Sequence, residues 1–168
     1  NTTAEVLAKD LGAAVAHQGS TAAGAKVVHD TAASLGLPTA GETTIDGSGL
    51  DLGNRVTCNL LTAALDHAGP DSVLAHSLPV AGQTGTLRDR LVGTSAAGQV
   101  DAKTGTLDSV NALAGFVHAT SGQVLTFAFV IDGNMANAPA LLDQAAVAMS
   151  AYGGTTPIAA LGPQSGGS

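Results

Sequence analysis

Three extended segments follow one another in the last third of the chain, and the turns between them are too short for any crossover. Residues 99–107, 112–119 and 124–131 each read as a strand. They are separated by Asp108-Ser109 and by Thr120-Ser121-Gly122. A parallel connection needs a dozen or more residues, so these strands must form antiparallel hairpins. The third, Val124-Leu125-Thr126-Phe127-Ala128-Phe129-Val130-Ile131, is almost unbroken in its apolar character. A strand of that kind needs cover on both faces, so helical layers are expected on either side of the sheet.

The rest of the chain supplies those helices. Residues 3–16 carry Leu7, Leu11 and Val15 on one helical face, a spacing that predicts a helix buried along that stripe. The glycine-bounded stretch 19–24 predicts a break. A second helix is expected over 25–35, with Val28, Ala32 and Leu35 inward, ending at Gly36 and Pro38. Residues 43–50 read as a short extended piece entering an Asp46-Gly47-Ser48-Gly49 turn. Thr57 can cap a third helix to Ala68, lined by Leu60, Leu61, Ala64 and Leu65. Residues 71–98 are mixed, with a loop at 82–86 and a short helical piece near Arg88. Asn137 and Pro139 open a last helix whose buried face is read as Leu141, Ala145 and Met149. The order predicts a layered α+β domain over residues 1–153, with 154–168 as a flexible tail.

Composition excludes several functions. The chain has 168 residues, six Lys+Arg against thirteen Asp+Glu, 2% aromatics and no Trp. It therefore has neither the basic stripe nor the stacking platforms of a nucleic-acid binder. No apolar run of 18 residues offers a membrane span. The five histidines show no metal-ligand spacing, so neither a metal nor another cofactor is expected. The single cysteine, Cys58, reads as a buried free thiol on a helix, or as a bridge to a segment outside these residues.

The chemistry concentrates at Lys103-Thr104-Gly105-Thr106, near the end of the first strand. A lone K-T-G triplet arises by chance in about one chain in twenty or thirty of this length, so its placement must carry the argument. Lys supplies a fixed positive charge, the Thr hydroxyls can bind a carboxylate, and Gly lets a substrate backbone approach. The next backbone N–H can serve as an oxyanion donor. Together they would grip a peptide that ends in a free carboxylate. The bland alternative is a hairpin strand with one solvated lysine.

Several stretches come in a telling order. They are Asn1-Thr2-Thr3-Ala4-Glu5, then Asp46-Gly47-Ser48-Gly49-Leu50, then Ser77-Leu78-Pro79-Val80-Ala81-Gly82 with Gly85-Thr86-Leu87 and Arg90. Val100 to Leu107 and Ala112-Leu113-Ala114-Gly115-Phe116-Val117 follow. Over roughly residues 1–150 the chain resembles the C-terminal part of the penicillin-binding protein 4-type D-alanyl-D-alanine carboxypeptidase/endopeptidase family. The resemblance implies the penicillin-binding/serine β-lactamase fold and a site built from S-x-x-K, S-x-N and K-T-G elements. The serine of that site attacks the bond between terminal D-alanines or a peptide cross-link, and β-lactams acylate it.

Carried over, Lys103 is the catalytic lysine of K-T-G, steering the substrate carboxylate and supporting proton transfer. Thr104 and Thr106 hydrogen-bond that carboxylate, the Thr106 N–H joins the oxyanion hole, and Gly105 keeps the strand open. Asn1 ends the S-x-N motif and faces these residues across the groove. The implied partners are a peptidoglycan peptide ending in D-Ala-D-Ala, β-lactam antibiotics and an N-terminal segment of the same protein, all in the bacterial cell envelope. That segment would hold the nucleophile and further strands beyond the third one. No serine here has a lysine three positions on, and Asp51 stands where the family often has Ser. The alternative is a catalytically inactive penicillin-recognising fold used as a binding module. An N-terminal-nucleophile hydrolase is disfavoured because Asn1 is not Ser, Thr or Cys.

Overall fold

A computed structural model describes residues 1–133 and 135–154; the expected tail, from residue 155 on, lies outside the described residues. Helices α1 (Thr2–Ala16), α2 (Thr21–Ser34), α3 (Cys58–Ala68) and the single turn α4 (Val73–His76) precede a three-stranded sheet. The strands are β1 (Val100–Thr106), β2 (Val110–His118) and β3 (Val124–Asp132), and α5 (Ala138–Ser150) closes the order. The sheet is antiparallel throughout, in the order β1-β2-β3. No further strand pairs beyond β3 among the described residues.

Register divides the sheet into two unlike faces. Lys103 lies opposite Ala114, and Ala114 opposite Ala128. Residues directly opposed in an antiparallel pair share a face. Val100, Ala102, Leu113, Val117 and Phe127 therefore point one way, where Leu142 and Ala146 of α5 and Leu87 and Ala96 of the 81–96 loop complete the main core. The other face holds Phe116 and Ala114, packed against Leu65 of α3 and Ala75 of α4. Both faces of β3 are thus served, as its apolar run requires.

The helical lobe departs from its sequence reading. Leu7, Leu11 and Val15 are 58%, 43% and 62% exposed, and the face of α1 that is buried carries Ala8 and Gly12. Small residues win because α1 and α2 approach closely. A Cβ on Gly24 would lie 1.9 Å from the Ala8 carbonyl oxygen, and one on Gly12 2.8 Å from the Gly24 nitrogen. Gly24 therefore sits inside α2 and does not break it. The helix starts earlier than expected because Ser20 caps it, accepting from the Ala23 N–H at 3.1 Å. Val28 is likewise exposed, and Gly24, Ala25 and Val27 are inward.

Two more expectations need correction. The buried stripe of α5 is Ala138, Leu142, Ala146 and Ser150, one residue out of phase with the expected one, and Leu141 is 37% exposed. Cys58 is exposed at the start of α3 and is not a buried thiol. Thr57 does cap that helix, accepting from the Leu60 N–H.

The close helix pair gives a direct test. Gly24→Ala forces a methyl group onto backbone that cannot move aside, and should cost about 2–3 kcal/mol or more. Gly19→Ala, whose Cβ would meet Ala13 at an ordinary 3.7 Å, should change stability by under about 0.5 kcal/mol. Urea unfolding midpoints of the two variants check this, and equal midpoints would contradict the packing.

Candidate active site

Strand β1 is an edge strand, and half of its free edge is occupied. Val80 bridges to Asp101, the Ala81 N–H donates to the Val100 carbonyl at 2.9 Å, and the Ala102 N–H donates to the Pro79 carbonyl at 2.9 Å. These bonds fix the phase of the strand. Even-numbered residues of β1 turn their N–H and C=O groups away from β2, and odd-numbered ones turn theirs toward it. Beyond Ala102 the covering segment turns away. The N–H groups of Thr104 and Thr106 are thus directed outward along an open edge.

The lysine sits beside those groups. Lys103 is exposed, and its Nζ donates to the outward Thr104 carbonyl at 2.8 Å. Its charge is held at the open edge. By alternation Lys103 and Gly105 lie on the α3 side of the sheet, and Thr104 and Thr106 on the α5 side. A Cβ on Gly105 would come within 3.2 Å of the Ala112 Cβ, so even alanine would crowd the strand there. The arrangement offers one cation, two hydroxyls and two backbone donors with no partner among the described residues, all within four consecutive residues. That set can bind a carboxylate and a carbonyl oxygen together.

Thr86 lies in the loop preceding β1, and its position in the sequence assigns it no role in the site. In the structure the Thr104 hydroxyl donates to the Thr86 hydroxyl at 2.9 Å. Thr86 belongs to a 3-10 turn, Gly85–Leu87, whose Leu87 is wholly buried in the main core. Arg90, just after the turn, grips Asp143 of α5 through Nη2 at 2.6 Å and Nε at 3.1 Å. Arg90 thus ties the loop to α5.

Asn1 belongs to a second group. It precedes α1 as an exposed N-cap without a side-chain capping bond. Among the described residues no hydrogen bond joins its side chain to β1. The first turn of α1 instead holds the 46–54 loop, where the Ser48 N–H donates to Glu5 Oε1 at 2.9 Å. A Cβ on Gly47 would strike the Ala4 carbonyl oxygen at 2.6 Å. Within that loop Asp46 is a turn former. Its carboxylate accepts from the N–H groups of Gly49, Leu50 and Asp51 at 2.7, 3.1 and 2.7 Å, and from the Asn54 amide at 2.9 Å. Asp51 accepts from the Gly53 N–H at 2.7 Å, a local turn contact.

Two carboxyls are perturbed here. Burial pushes Asp46 up, but its hydrogen bonds from Asn54, Asp51, Gly49 and Ser48 outweigh burial and hold it below the usual range. Burial also raises Glu42, and contacts from Thr44 and His29, with the charge of His29, bring it below its ordinary value. Glu42 and His29 line cavities of about 430 and 460 Å³ along α2 and the 42–45 segment, apart from Lys103. No cluster of three metal-ligating side chains occurs among the described residues.

Asp46 yields a prediction with a definite sign. Its folded-state pKa is depressed, so its stabilisation is complete above the ordinary carboxylate value of about 3.9 and is lost as pH falls through the lower folded value. Urea midpoints of the parent should fall more steeply than those of Asp46→Asn as pH is taken down through that window. Parallel curves would remove the carboxylate's role.

Residues 1–152 match the model of the D-Ala-D-Ala carboxypeptidase 3 (S13) family. A D-alanyl-D-alanine carboxypeptidase of Actinomadura sp. is 41% identical over 160 residues, covering 90% of this chain and 30% of that protein. Carboxypeptidase DacB of Mycolicibacterium smegmatis is 38% identical over 139 residues, 77% of this chain and 30% of its own length. Penicillin binding protein 4 (dacB) from Haemophilus influenzae, solved in complex with a β-lactam, superposes with a TM-score of 0.78. It is 25% identical, with 86% of this chain and 36% of that one covered. The chain thus spans about a third of the length of the proteins it matches.

Proposed function

The chain belongs to the D-Ala-D-Ala carboxypeptidase 3 (S13) family, and from that premise we propose that it forms the K-T-G wall of a serine DD-peptidase site acting on peptidoglycan stem peptides. The observation that carries this reading is the β1 edge at Thr104 and Thr106, without a partner among the described residues, beside the Lys103 ammonium. An extended peptide can lie along such an edge by backbone pairing. Its terminal carboxylate would meet Lys103, Thr104 and Thr106, and its scissile carbonyl would meet the Thr106 N–H. In this reading residues 1–153 are one part of the peptidase domain.

The reaction follows from those placements. A serine hydroxyl from an S-x-x-K segment outside these residues attacks the carbonyl of the penultimate D-alanine. The oxyanion accepts from the Thr106 N–H. The C–N bond breaks, the terminal D-alanine leaves with a proton on its amine, and water then hydrolyses the acyl-serine ester. Asn1 holds the substrate peptide group through its side-chain amide, and Lys103 steers the carboxylate and supports proton transfer. A β-lactam carbonyl occupies the same place, and ring opening leaves the serine acylated.

The substrate lies outside the cytoplasm, so the intact protein works in the cell envelope. No described helix is long and apolar enough to cross a membrane. Beyond substrate and β-lactam, the partner of this chain is the segment carrying the nucleophile.

Lys103→Ala in the intact protein tests the reading. Penicillin acylation should slow by about a hundredfold, the scale of losing an electrostatic contact to a developing anion. Stability should change by under about 0.5 kcal/mol, because Lys103 is exposed and packs little. Fluorescent-penicillin labelling rates and melting curves, taken together, decide it. Equal labelling rates would remove Lys103 from the chemistry. An intact parent that never labels would favour the inactive binding module.

A further inference from the structure

The Thr86–Thr104 contact has a consequence for how the carboxylate is selected. The turn that carries Thr86 is held from three directions. Leu87, its neighbour, has no exposed surface. The loop is closed by the Val80 N–H donating to Thr84 Oγ1 at 2.9 Å and the Gly82 N–H donating to the Leu87 carbonyl at 2.9 Å. Gly85 packs on the Pro79 ring, where a Cβ would come to 3.0 Å. The backbone of this turn is therefore fixed, and it sets the exposed Thr86 side chain beside Thr104.

We infer that Thr86 is a positioning residue for Thr104, fixing the hydroxyl that selects substrates ending in a free carboxylate; the inference rests on the DD-peptidase reading above. The Thr104 hydroxyl donates its one proton to Thr86. A carboxylate accepts hydrogen bonds and donates none. Binding it therefore requires Thr104 to turn its O–H toward the ligand. Thr86 has a hydroxyl proton of its own, which then rotates to donate to Thr104 Oγ1. Two O–H rotations exchange one arrangement for the other, and the Thr104 oxygen stays in place in both. A carboxamide in the same position gains less, because its NH2 end competes as a donor.

The test uses the intact protein and two synthetic stem peptides, one ending in D-Ala-D-Ala carboxylate and one in the matching carboxamide. In Thr86→Val the ratio of kcat/KM for carboxylate over carboxamide should fall about three- to tenfold, the scale of one oriented hydrogen bond. Thr86→Ser should restore it. A merely structural role would lower both substrates alike and leave the ratio unmoved. Thr86→Ala gives the same comparison if the valine variant fails to fold. An unchanged ratio in a protein whose parent labels with fluorescent penicillin overturns the role of Thr86 and leaves the peptidase reading standing. A parent that neither labels nor cleaves either peptide overturns both.

Discussion

The pairing of Lys103 with Ala114 sets everything else in the sheet. It puts Val100 and Ala102 under α5, where they close the main core with Leu113, Val117 and Phe127. It also puts Lys103 on the face that α3 and α4 cover. The same phase turns the N–H groups of Thr104 and Thr106 away from β2. A slip of one residue would bury the lysine and expose the core valine, and would point the wrong backbone donors outward. Core packing and the layout of the candidate site are thus set by one register, and the apolar cost of slippage protects both.

The free edge of β1 is managed rather than merely left open. Exposed edges invite unwanted pairing, and residues 79–81 cover this one up to Ala102. The covering segment then turns off through the 3-10 turn at Gly85–Leu87, anchored by buried Leu87 and by the Arg90–Asp143 ion pair. Among the described residues, the stretch that carries K-T-G and the following Thr is left without an edge partner. The 46–54 loop, in turn, is drawn onto α1 by Glu5 and organised around the Asp46 carboxylate. That loop is a structural device, built from backbone N–H donors converging on one anion.

Much of this architecture was legible in the sequence, for identifiable reasons. Short turns forced the antiparallel hairpins, and Thr57 announced the start of α3 through its capping bond. The buried faces of α1 and α5 were not legible. Apolar periodicity points to Leu7, Leu11 and Val15, yet helices that meet at backbone distance bury Ala8, Gly12 and Gly24. Large side chains are excluded by geometry that only the fold reveals. In α5 the apolar residues surround too much of the helix for periodicity to settle the phase. Gly85-Thr86-Leu87 stood out in the sequence, but no spacing rule tells that the Thr86 hydroxyl meets Thr104 across 18 positions.

The central claim is that the open edge of β1 holds the reacting acyl group. A crystal structure of the intact protein acylated by benzylpenicillin tests it most directly. The account predicts the acyl carbonyl oxygen within about 3 Å of the Thr106 nitrogen, and the penicillin carboxylate on the Thr104 and Thr106 hydroxyls beside Lys103. An adduct whose carbonyl and carboxylate lie away from residues 103–106 would contradict it.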